Sequence, residues 1–178
     1  MNSSHNMILA GFGGQGVLFA AKVIAYAGLI DEKEVSWLPS YGPEMRGGTA
    51  NCSVCVSDEP IGSPLVTAPS ILIAMNLPSY DKFIDTVEPD GLVILDSYLI
   101  DKKVERTDVK AFYVSATQMA EENGMKGLAN IILLGKLFEE TKFCSEESLQ
   151  KAITKSVPPS KAHLIELNMK AIELGRNS

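Results

Sequence analysis

The chain has 178 residues, 46% hydrophobic and 21% charged, enough for one core but short of the roughly 150 residues that each of two full domains would need. This near-average composition excludes collagen-like, disordered and disulfide-framework classes. With 16 Lys and Arg against 22 Asp and Glu and a net charge of -6, the chain lacks the basic balance of a nucleic-acid binder.

Met1–Asn6 carries no basic stretch of the kind that opens a secretory signal and reads as a flexible tail on a single domain spanning residues 1–178. No window reaches the ~18 uncharged apolar residues of a membrane helix; the longest candidate, Val17 to Ile30, contains Lys22. Three cysteines do not form a secreted disulfide framework. A reducing cytoplasm is the expected setting.

Met7-Ile8-Leu9-Ala10 is a short apolar run ending on glycine, which predicts a buried strand. Gln15 to Leu29 predicts a helix that is apolar almost all round, so it must lie between a sheet and a neighbour or under a partner. Glu34 to Leu38 and Thr49 to Val56 read as strands. Ile71 to Asn76 and Gly91 to Asp96 repeat the buried-strand pattern, and Ala111 to Val114 does so more weakly. Ser79 to Val87 predicts a short helix with Ser79 as N-cap. From Ala116 onward helical periodicity dominates, over 116–122, 128–139, 146–156 and 161–174. Strands apolar on both faces, alternating with helices, predict an α/β fold: a mainly parallel sheet with helices on both faces and a helical C-terminal part.

Gly11-Phe12-Gly13-Gly14-Gln15-Gly16 satisfies G-x-G-x-x-G between a predicted strand and a predicted helix. Such a turn presents backbone N–H groups at a helix N-terminus, where a phosphate or carboxylate is favoured. Glycines there also permit close helix–sheet packing, and both readings stand. NAD does not fit. Its fingerprint needs an acidic residue about 20 residues on, at the end of the second strand, and that strand ends in Leu38-Pro39-Ser40.

The next segment, Ser40-Tyr41-Gly42-Pro43-Glu44-Met45-Arg46-Gly47-Gly48, leading to Asn51, is long for a connection of usual length ~2–6 residues. Arg46 is a planar fork suited to a carboxylate or phosphate, or to an ion pair with Glu44. Cys52-Ser53-Val54-Cys55 matches C-x-x-C, but residues three apart on a strand point to opposite faces, so the two thiols are expected to be structural. His5 and His163 have no nucleophile motif beside them. Asn76 and Asp96 end predicted strands, where ligands of open α/β sheets bind and where helix caps also occur.

The glycine motif, the segment Trp37 to Cys52, Pro60-Ile61-Gly62-Ser63-Pro64, Ile73-Ala74-Met75-Asn76, the 130–137 helix and the terminal Glu166-Leu167-Asn168 with Gly175 strongly resemble the gamma subunit of 2-oxoacid:ferredoxin oxidoreductases. The second motif looks most like the 2-oxoglutarate type. The resemblance implies a Rossmann-like domain packed against alpha, beta and delta-type subunits near the approach path of coenzyme A. It implies oxidative decarboxylation of a 2-oxoacid, acyl transfer to coenzyme A and electron delivery to ferredoxin or a similar acceptor. Thiamine diphosphate, Mg and iron–sulfur clusters would lie in the other subunits, with no cofactor firmly bound here and no catalytic residue. Gly11, Gly13, Gly14, Gln15 and Gly16 are then candidates for coenzyme A contact or packing, and Ser40 to Asn51 for interface and site-shaping. Pyruvate, branched-chain or aryl 2-oxoacids, a free-standing nucleotide-binding protein, and a homodimer of the isolated chain are the alternatives.

Overall fold

The computed structural model describes residues 4–40 and 49–178. In chain order these form β1 (Ser4–Phe12), α1 (Val17–Ile30), β2 (Glu34–Ser40), β3 (Thr49–Ser57), β4 (Ile71–Ala74), α2 (Leu77–Phe83), β5 (Leu92–Asp96), β6 (Lys110–Val114), α3 (Ala116–Glu122), α4 (Ala129–Thr141), α5 (Glu146–Ser156) and α6 (Leu164–Arg176), with 3-10 turns at Ile84–Thr86 and Pro159–Lys161.

The strands make one six-stranded sheet in the order β2-β3-β1-β4-β5-β6. β1, β4, β5 and β6 are parallel neighbours, with Met7 opposite Ile71 and Ile71 opposite Leu92. β3 runs antiparallel to both β1 and β2. The expected mainly parallel sheet is therefore mixed at one side. β2 and β3 pair antiparallel, and β3 takes the place beside β1.

The two faces are covered unequally. Met7, Leu9, Val54, Ile71, Ile73 and Ile94 face a large core built with α1, α3, α4, α5 and α6. Ile8, Ala10, Leu72, Ala74, Val93 and Leu95 face a smaller one closed by Tyr80, Ile84, Val87 and Ile100. Helices do lie on both faces, but the second face has only α2, a 3-10 turn and irregular chain over it. The all-round apolar character of α1 has its explanation here. α1 buries Val23, Ile24 and Ala27 between the sheet and the other helices. Asp31 at its end accepts hydrogen bonds from the Ser145 amide and from the hydroxyls of Ser145 and Ser148, closing the N-terminus of α5.

Two local expectations need correction. Ser4, His5 and Asn6 are not a tail, because β3 extends far enough to pair Ser4 with Ser57. Ser70 Oγ donates to the Asn6 carbonyl and accepts from its amide, at 3.2 and 3.1 Å. The His5 imidazole is half-buried, and burial, followed by the neighbouring Lys33, holds its pKa below the ordinary value. Residues 1–3 lie outside the described residues. The short helix starts at Leu77, two positions earlier than expected. Asn76 is its N-cap and accepts the Ser79 amide at 2.8 Å, and Pro78 is accommodated in the first turn.

Cys52 and Cys55 do fall on opposite faces, Cys52 in the larger core and Cys55 in the smaller. Burial pushes the Cys52 thiol up to about 12, so it stays protonated and apolar. These residues do not fit an iron–sulfur cluster, which needs several thiolates converging on one point.

Candidate functional site

β1 and β4 are parallel neighbours whose chains leave to opposite faces: β1 turns through the glycine motif into α1 on the larger face, and β4 passes through Asn76 into α2 on the smaller. A parallel sheet opens a crevice at such a divergence, at the carboxyl ends of its strands. A cavity of about 260 Å³ lies there, lined among others by Gly14, Gln15, Met75, Leu99, Thr117 and Lys126. A larger depression of about 500 Å³ beside Tyr80 is a different kind of surface. Two of its cations are committed to ion pairs, Lys102 to Asp81 at 2.7 Å and Arg106 to Asp108 at 2.6 Å.

The glycine turn divides by role. Gly14 and Gly16 have φ of +91° and +75°, a region that side chains disfavour. A Cβ on Gly11 would meet Gln15 Oε1 at 2.6 Å and Met75 Cβ at 3.1 Å; one on Gly16 would meet Asn130 Nδ2 at 2.5 Å. These two glycines permit close packing. Gly13 and Gly14 face open space and are exposed. α1 has no side-chain cap and no acidic residue in its first turn. Its leading N–H groups therefore remain an electrostatic attraction for an anion. Gln15 is committed internally: its Oε1 accepts the Phe12 amide at 2.6 Å, and its Nε2 donates to the Met75 carbonyl at 3.1 Å. The side-chain amide thus ties the turn to the end of β4.

The second motif is anchored at the same end of the sheet. Ser40 pairs with Asn51, Asn51 with Ala10, and Thr49 with Phe12. Tyr41, Gly42, Pro43, Glu44, Met45, Arg46, Gly47 and Gly48 lie outside the described residues. The two motifs are separated in sequence by a helix and a strand, and the pairing of β3 with β2 and β1 brings the ends of the second back beside the first.

Of the two strand-ending candidates, Asn76 is the cap described above. Asp96 is fully buried and receives the Thr117 hydroxyl at 2.6 Å, the Thr117 amide at 3.2 Å and the Tyr98 amide at 3.2 Å. It joins the turn carrying Leu99 to the start of α3, two parts of the crevice wall. Burial raises its pKa, and the hydrogen bonds from Thr117 and Tyr98 only partly oppose that. Sequence reasoning missed Asn130. This residue is 4% exposed, and its Nδ2 donates to the Gly16 carbonyl at 2.9 Å. It opens the 130–137 helix of the resemblance, but no local pattern gives it a role, because its partner is 114 positions away.

The topology adds a second argument against NAD. On the side of β1 away from β4 the neighbour is the antiparallel β3, so no parallel second strand delivers an acid to a ribose there. Isothermal titration of the chain with NAD should give a dissociation constant no tighter than about millimolar, some 4 kcal/mol of binding. A micromolar value would mean that the crevice recognises a dinucleotide after all. Among the described residues no three His, Cys, Asp or Glu side chains converge as a metal set. No helix among them is long and apolar enough to cross a membrane.

The model of the family described as pyruvate ferredoxin/flavodoxin oxidoreductase matches residues 6–178. The 2-oxoglutarate synthase subunit KorC of Methanocaldococcus jannaschii is 41% identical over 153 residues, covering 84% of this chain and 82% of that protein. The ketoisovalerate oxidoreductase subunit VorA of Methanothermobacter thermautotrophicus is 38% identical over 94% of this chain, which spans only 35% of that longer protein. The gamma subunit of a keto/oxoacid ferredoxin oxidoreductase from Geobacter sulfurreducens superposes with a TM-score of 0.83 at 28% identity, covering 97% of this chain and 96% of that one. The family model covers nearly the whole chain, and the chain belongs to the pyruvate ferredoxin/flavodoxin oxidoreductase family, as a member of the gamma-subunit type.

Proposed function

We propose that the chain is the gamma subunit of a cytoplasmic, thiamine-dependent 2-oxoacid:ferredoxin oxidoreductase that converts 2-oxoglutarate and coenzyme A to succinyl-CoA. Electrons go to ferredoxin or a similar acceptor. The observation that carries this reading is the 41% identity to a 2-oxoglutarate synthase subunit across 82% of that protein's length. A branched-chain 2-oxoacid is the second reading, supported by the 38% identity to the ketoisovalerate subunit. The division of labour follows the family. Cys52 and Cys55 lie on opposite faces of the sheet and do not converge on a cluster. By the family resemblance, thiamine diphosphate, Mg and iron–sulfur clusters are assigned to alpha, beta and delta-type partners. The glycine turn receives an anionic group of coenzyme A at the N-terminus of α1. The segment Ser40 to Asn51 meets a partner subunit, its Tyr41, Met45 and Arg46 being residue types enriched at interfaces. Three free buried thiols, Cys52, Cys55 and Cys144, suit a reducing compartment.

The test is reconstitution. The purified chain alone should be colourless and inactive with 2-oxoglutarate, coenzyme A and thiamine diphosphate. Co-expressed with the thiamine-binding and ferredoxin-like subunits of the same organism's complex, it should co-purify with them and restore dye reduction. Arg46→Ala should weaken that assembly by about 2 kcal/mol, some 30-fold, with Arg46→Lys rescuing only in part. Turnover by the lone chain, or failure to co-purify, would sink the subunit reading. Preference of the reconstituted enzyme for 2-oxoisovalerate would transfer it to the branched-chain class.

A further inference from the structure

We infer that Asn130 is a positioning residue for the glycine turn: through the Gly16 carbonyl it sets the direction of the first N–H group of α1, the group that meets the anionic end of coenzyme A. The inference rests on the reading that the turn receives that anion, and goes beyond it by naming the side chain that aims the donors.

The Gly16 carbonyl accepts two hydrogen bonds, from the Ala20 amide at 3.0 Å and from Asn130 Nδ2 at 2.9 Å. The peptide unit joining Gly16 to Val17 is rigid and trans, so fixing its C=O fixes its N–H in the opposite direction. Asn130 therefore holds, together with the Ala20 amide, the direction in which the Val17 N–H points. The fit is tight on both sides. Gly16 sits at φ +75°, and a Cβ there would come within 2.5 Å of Asn130 Nδ2. Asn130 stands in the first turn of α4, directly after Ala129 and close behind Lys126 and Gly127, all of which line the crevice. One side chain thus links the turn to the opposite wall across 114 positions of sequence.

The amide also carries a cost that stability does not explain. Asn130 is 4% exposed, and its Oδ1 has no hydrogen-bond partner among the described residues. A buried, half-satisfied amide destabilises a core relative to an apolar side chain of similar shape. Such an exception is expected where a residue serves a site rather than the fold.

The experiment uses the reconstituted complex and measures KM and kcat with coenzyme A and with 2-oxoglutarate. Asn130→Ser and Asn130→Asp should each raise KM for coenzyme A about tenfold, the equivalent of one misplaced hydrogen bond. Both should leave kcat and KM for 2-oxoglutarate unchanged. Asn130→Asp should have the larger effect, because its carboxylate opposes an anion, and the excess should shrink as salt is raised. Gly13→Asp, at an exposed position with nothing within 4 Å of a Cβ, places a charge on the turn without touching Asn130 and tests the anion reading separately. If Gly13→Asp raises KM for coenzyme A while the Asn130 variants do not, the positioning role is wrong and the anion reading stands. If none of the three raises it, both are wrong. If both Asn130 variants fail to fold or assemble, or alter both substrates alike, Asn130 is an internal strut and the inference is overturned.

Discussion

Gly175→Ala should lower the melting temperature of the chain by about 5–10 °C, the equivalent of about 2–3 kcal/mol in a domain of this size. Gly135 of α4 and Gly175 of α6 face each other's helices where α4 and α6 cross. A Cβ on Gly175 would overlap the Ile132 carbonyl, and one on Gly135 the Ile172 carbonyl. Both obstacles are backbone inside a hydrogen-bonded helix, so neither can rotate away as a flexible side chain would. Alanine is the better helix former by about 1 kcal/mol, and that gain is smaller than the cost of pushing two packed helices apart. Gly135→Ala should behave in the same way. Gly13→Ala, which meets nothing within 4 Å and has no positive φ, should change stability by less than about 0.5 kcal/mol. Thermal unfolding followed by circular dichroism makes the comparison. A Gly175→Ala chain as stable as wild type would show that the α4–α6 crossing has slack.

Asp96→Ala should cost about 2 kcal/mol, because it removes the buried acceptor shared by the Thr117 hydroxyl, the Thr117 amide and the Tyr98 amide. Asp96→Asn, which keeps one acceptor oxygen, should cost less. The two carboxyl forms add a pH signature. Burial holds the folded-state pKa of Asp96 above its ordinary value. A carboxyl raised in this way contributes most to stability below its unfolded pKa of about 3.9, and loses that contribution as pH rises through the higher folded value. The stability advantage of wild type over Asp96→Asn should therefore be largest at the acid end and shrink as pH rises from about 4 towards neutrality. Urea unfolding at a series of pH values measures it. An advantage that grows with pH would mean that the hydrogen bonds from Thr117 and Tyr98 outweigh burial and favour the ionised form.

Much of the architecture is legible in local patterns. The apolar runs of β1, β4 and β5 need no context, since a strand buried on both faces has few other ways to be written. The glycine turn is equally local: φ values of +91° and +75° at Gly14 and Gly16 demand the residue type that stands there. The opposed faces of Cys52 and Cys55 follow from strand periodicity alone. The start of α2 is ambiguous in the sequence because Ser79 and Asn76 are both good caps. Only the geometry after β4 decides that Asn76 does the capping and that the Ser79 amide is the donor.

The residues by themselves determined the α/β class, the strand–glycine turn–helix unit, the lack of an acid after the second strand and the family resemblance, because each is a pattern of near neighbours. Tertiary structure alone decided that β3 lies antiparallel beside β1, that His5 belongs to the sheet, and that Gln15 faces inward to Met75. It alone set Asn130 against Gly16 and the glycines of α4 and α6 against the facing helix backbones. Each of these joins segments distant in the chain. Their pairing is chosen by which whole arrangement buries the most apolar surface while satisfying its backbone, a quantity that no short window of sequence contains.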